Sequence, residues 1–88
     1  MKILYRDSAL KDLRQIAEYF GSYSPATLER ARKDIDDYIR ILIENPKLGR
    51  KLDDGSRMVV TAKYRFNITY ELNEQSIGIV GIYRYQNR

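Results

Sequence analysis

Two groups of side chains in this 88-residue chain have the types needed to act on another molecule. One is the run Tyr64-Arg65-Phe66-Asn67-Ile68-Thr69-Tyr70, and the other is Tyr83-Arg84-Tyr85 with Arg88. Arginine and tyrosine bond phosphates and carboxylates and stack on flat rings, which is the chemistry of docking on a large partner. Groups for bond-breaking are scarce. Histidine and cysteine are both absent, which removes the imidazole base, the thiol nucleophile and the usual zinc ligands. No metal, cofactor or small-molecule substrate is therefore expected. Arg50, Lys51, Arg57 and Lys63 add further cations to the same half of the chain.

The charge is uneven along the sequence. Residues 1–45 hold eight basic and eight acidic side chains, whereas residues 46–88 hold eight basic and four acidic, so the net charge of +4 lies in the second half. That half should attract an acidic partner such as nucleic acid or an acidic protein segment. A hydrophobic content of 43% with 32% charged residues is that of a folded chain, and the length suits one domain over residues 1–88. No apolar stretch approaches a membrane span and the N-terminus is too short in apolar residues for a signal peptide, so a cytoplasmic location is expected.

Elements that position these groups are legible from periodicity. Lys2–Arg6 is a strand candidate, and Asp7 or Ser8 then caps a helix with Leu10, Leu13, Ile16/Ala17 and Phe20 at three- to four-residue spacing, ended by Gly21. Ser24-Pro25 opens a second helix with Leu28, Ala31, Ile35, Tyr38/Ile39 and Leu42 on one stripe, stopped at Asn45-Pro46. Asp34, Asp36 and Asp37 on that helix read as surface partners of neighbouring cations, in pairs such as Lys33 with Asp37 and Asp36 with Arg40. Residues 46–55 form a basic loop. Period two then takes over, placing strands at Ser56–Thr61, Tyr64–Leu72 and Ser76–Tyr85. The fold class is α+β, a β-α-α-β-β-β chain whose antiparallel sheet packs one face on the helical hairpin. Alternation puts Arg65, Asn67 and Thr69 on the open face. Gly78 and Gly81 mark a bulge or a close backbone approach.

Ser8-Ala9, Asp12-Leu13, Ile16 and Tyr19; Pro46-x-x-Gly49; Arg57, Tyr64-Arg65 and Tyr70; and Ile77, Ile79 and Ile82 together resemble the ParE/RelE superfamily of toxins from type II toxin–antitoxin modules. The resemblance covers nearly the whole chain. It implies a cognate antitoxin of the ParD/RelB kind, whose disordered segment folds across the toxin. Two activities occur in the superfamily. RelE-like members are ribosome-dependent mRNA endoribonucleases, and that likeness gives Arg57, Arg65, Arg84 and Tyr85 as the catalytic set. Val59 stands where a second cation of that type belongs, no tyrosine-bearing tail follows Arg88, and arginine cannot serve as a base. ParE-like members match better in the first helix, in Pro46-x-x-Gly49 and after the last strand. They inhibit DNA gyrase by binding. The expectation is a gyrase inhibitor with no catalytic residues, contacting its target through Arg57, Lys63, Arg65, Tyr83, Arg84, Tyr85 and Arg88, with an mRNA interferase acting on the ribosome as the alternative.

Overall fold

Residues 7–21 and 25–44 carry their apolar side chains on one stripe each, and both are helical in the computed structural model, which describes residues 1–84. The element order is β1 (Lys2–Tyr5), α1 (Asp7–Gly21), α2 (Pro25–Glu44), β2 (Arg50–Lys51), β3 (Arg57–Val60), β4 (Phe66–Leu72) and β5 (Ser76–Arg84). The strands form one sheet in the order β1-β5-β4-β3-β2. The expected α+β arrangement of a helical hairpin on a sheet is what the chain adopts, with two refinements. β1 runs parallel to β5, so the sheet is mixed. The basic loop contains a short edge strand, β2, paired antiparallel to β3. No helix among the described residues is long and apolar enough to cross a membrane.

Helix boundaries follow local chemistry at one helix and tertiary chemistry at the other. Ser24 caps α2 as its sequence predicts, its Oγ accepting from the Thr27 amide at 3.0 Å, with Pro25 in the first turn. α1 departs from expectation: its N-cap is Arg6 and no side chain caps it. The Ser8 hydroxyl instead donates to the Val80 carbonyl, and the Asp12 carboxylate accepts from the Ile82 amide at 3.0 Å. Register explains the diversion. β1 covers β5 only from Ser76 to Ile79, and one face of α1 takes over at the bare edge beyond it, satisfying polar groups that a neighbouring strand would otherwise pair.

The core lies between the helices and one sheet face, with Phe66, Ile68, Tyr70, Ile77, Ile79 and Leu42 essentially without solvent contact. Leu10, expected on the apolar stripe, is 42% exposed, while Ala9 is fully buried in the helix–sheet interface. The small side chain lets α1 approach β5. The glycine expectation holds: the register steps from Thr69 opposite Gly81 to Tyr70 opposite Ile79, leaving Val80 as an extra residue. A Cβ on Gly81 would stand 3.0 Å from Thr69 Oγ1.

Tyr70 fastens the far end. Its hydroxyl donates to the Pro46 carbonyl at 2.7 Å and accepts from the Gly49 amide at 2.9 Å. Gly49 is required there, because a Cβ would come within 2.6 Å of that hydroxyl and 3.0 Å of the Met58 carbonyl oxygen. Tyr70→Phe leaves a buried amide unpaired, which should cost about 1–3 kcal/mol. Thermal unfolding should then fall by roughly 4–8 °C per kcal/mol in a domain of this size. An unchanged midpoint would show that the hydroxyl pairs contribute nothing net.

Candidate functional site

Between β3 and β4 the chain reverses over residues 61–65 without glycine or asparagine, and the turn is shaped from outside by α2. Asp34 is 4% exposed. Its carboxylate accepts from the Thr61 hydroxyl at 2.6 Å, the Tyr64 amide at 2.8 Å and the Lys63 amide at 3.3 Å. Thr61 Oγ1 in turn accepts from the Phe66 amide at 2.9 Å. A carboxylate out of water is tolerated when donors surround it, and here the donors belong to the turn itself. The surface assignment of Asp34 is thus corrected. Lys33 pairs with Asp37 as expected, whereas Arg40 also turns to Asp37 rather than to Asp36.

Arg65 is the one non-glycine residue with positive φ among the described residues, at 60°. It precedes β4 rather than standing on its open face, so that expectation is corrected too. Tyr64, equally outside the strand, still reaches the core by packing on Phe20 and Phe66 with ring centroids 5.4 and 6.2 Å apart. Lys63 and Arg65 project from this held turn as exposed side chains.

Strand pairing brings more of the predicted residues to the same end. Phe66 lies opposite Arg84 and Asn67 opposite Tyr83, so the end of β5 abuts the turn. The Arg84 guanidinium sits 5.5 Å from the centre of the Phe20 ring, an arrangement that holds a cation in place without neutralising it. Tyr83 is 46% exposed, and the α1 terminus adds Tyr19 at 52% and Tyr23 at 64%. These last two rings meet edge to face at 5.3 Å, and the Tyr23 hydroxyl donates to that of Tyr19 at 3.0 Å. That bond stabilises the protonated form and raises the Tyr23 pKa above the ordinary phenol value.

Arg57 is not brought to this end. It stands opposite Tyr70, four residues along β4 from Phe66 and so about 13 Å away along the strand. Its guanidinium donates to the Gly49 carbonyl at 2.8 Å and the Lys47 carbonyl at 3.3 Å, fastening the loop before β2. Tyr85 and Arg88 lie outside the described residues. Lys63, Arg65, Tyr83 and Arg84 therefore lie at the same end of the sheet, and none of these three cations has a carboxylate partner within 4.0 Å among the described residues. No cluster of three or more metal-ligating side chains occurs among the described residues.

Sequence reasoning missed Asp34 as the buried anchor of this turn and the Tyr19–Tyr23 pair as an exposed neighbour. The signals existed: Asp34 falls between Ala31 and Ile35 on the buried stripe of α2, and Tyr19 and Tyr23 are four residues apart. Asp34→Ala should strand the Thr61, Lys63 and Tyr64 donors and destabilise the fold by about 3 kcal/mol, read by denaturant titration. A change below about 0.5 kcal/mol, the range of ordinary surface substitutions, would contradict the anchoring role.

The family model for the ParE toxin of type II toxin-antitoxin system, parDE, matches residues 3–86. One solved chain, from the chromosomal ParDE TA system from P. aeruginosa, has the same fold with a TM-score of 0.82. It is 22% identical, over 98% of this chain and 97% of that chain. No match is found among curated proteins.

Proposed function

The chain belongs to the ParE toxin family of type II toxin–antitoxin systems, and from that membership we propose that it inhibits DNA gyrase by binding, so that replication stalls. The observation that carries this reading is the convergence of Lys63, Arg65 and Arg84, exposed and free of carboxylate partners among the described residues, with exposed tyrosines at one end of the sheet. Such a surface gains affinity and rapid association from charge without needing a nucleophile or a base. Residues 1–88 act as one toxin domain in the cytoplasm, and a cognate antitoxin of the ParD/RelB kind is the neutralising partner. Its acidic segment would cover the cationic end and compete with the target.

An mRNA interferase would need Arg57, Arg65, Arg84 and Tyr85 around one phosphate. The Arg57 guanidinium is occupied by two backbone carbonyls in a row well removed from Arg84. Binding is accordingly the preferred reading. Purified toxin should block supercoiling by gyrase and accumulate cleaved DNA complexes. The charge reversals Lys63→Glu and Arg65→Glu should each weaken inhibition by roughly tenfold, as expected when a contact worth about 1.4 kcal/mol is lost, with little change in melting temperature. Cleavage of ribosome-bound message with gyrase unaffected would establish the alternative instead.

A further inference from the structure

A cleft of about 550 Å³ runs between α1 and the end of β5, where β1 no longer covers the sheet. Tyr19 and Phe20 form its helix side, Tyr83 and Arg84 its strand side, and Asp12 and Gln15 close it toward the start of α1. Both exposed tyrosines of this cleft are about half accessible. Gly81 shapes the strand side. The Tyr83 ring edge and the Asp12 carboxylate each lie 3.6 Å from where a Gly81 Cβ would be, so both flank the same point of the strand.

The polar groups in this cleft differ in what they have left to offer. Asp12 Oδ2 is engaged by the Ile82 amide, which leaves its other oxygen as a pure acceptor. The Gln15 side chain is exposed and supplies both a donor and an acceptor. Arg84 stands over the Phe20 ring on the strand side of the cleft. An aromatic-walled slot with an acceptor on one side and a cation on the other matches a flat ring that bears an amino edge and carries a phosphate.

We propose that this cleft takes an unstacked base of single-stranded nucleic acid, with the ring against Tyr19 and Tyr83, its exocyclic amine on Asp12 or Gln15, and its phosphate on Arg84. Stacking on tyrosine is indifferent to base identity, while the Asp12 acceptor favours cytosine or adenine over thymine. Duplex DNA exposes an unstacked ring only by flipping a base out, at the cost of its stacking and pairing, so single strands are favoured. The reading does not depend on gyrase, because the toxin alone should show it.

The test is fluorescence anisotropy of labelled oligo(dC), oligo(rC), oligo(dT) and a hairpin duplex with the purified full chain. Quenching of the emission of the eight tyrosines, unobscured in a chain without tryptophan, gives a second readout. Oligo(dC) should bind more tightly than oligo(dT) and much more tightly than the duplex, with affinity falling as salt rises. Comparable affinity for oligo(rC) would extend the site to RNA, and weaker binding would restrict it to DNA; either agrees with a base slot. Tyr19→Ala and Tyr83→Ala should each weaken binding roughly tenfold, and Tyr19→Phe should retain it. Lys47→Ala at the other end of the molecule should change nothing. Both tyrosines are exposed enough for these variants to fold, which thermal melts would verify. Absence of binding, equal binding of duplex and single strand, full competition by poly-glutamate, or affinity unchanged in both alanine variants would overturn the proposal, whatever the outcome with gyrase.

Discussion

One buried carboxylate governs the reversal between β3 and β4. Asp34 sits in the middle of α2, and all of its hydrogen bonds to other elements go to the reversal between β3 and β4. Turn residues of the usual kind are absent from residues 61–65, so the reversal depends on a helix from the other layer. The left-handed backbone of Arg65 costs an L-residue about 1–2 kcal/mol. Such a conformation persists only when its surroundings fix it on both sides, and here Tyr64 is bonded to Asp34 and Phe66 to Thr61. Sequence, local strain and cation display are linked through that single group.

The two ends of the sheet use the same residue types differently. Near β2, Arg57 spends its donors on backbone carbonyls and Tyr70 its hydroxyl on Pro46 and Gly49. Near the β3–β4 turn, Arg65 and Tyr83 are exposed and stay available. Burial and partners, not residue identity, separate an arginine that holds a loop from one whose donors are left available. Exposed cations without carboxylate partners are thus gathered at that end, where affinity for a macromolecule can arise without catalysis.

Much of this was legible in the sequence. Period-two and three-to-four-residue spacings located both helices and β1, β3, β4 and β5, because burial of one face imposes those periods directly. β2 was not legible, because two residues cannot display a period. The parallel direction of β1 is a property of the connection, which alternation does not encode. Asp34 looked like one more charge in a charged helix, although its position between Ala31 and Ile35 on the buried stripe marked it. Arg57 looked free because its carbonyl partners in the loop before β2 are side-chain-independent. The approach of Tyr83 and Arg84 to the β3–β4 turn follows from the β4–β5 register, which the extra residue Val80 shifts by one.

The most direct measurement is the potency of Asp34→Asn against gyrase, taken at a temperature where circular dichroism shows variant and parent equally folded. An amide keeps the volume but turns one acceptor oxygen into a donor facing donors. The account predicts a loss of inhibition comparable to that of removing Lys63 or Arg65, despite an intact fold. Undiminished inhibition by a fully folded Asp34→Asn protein would contradict it.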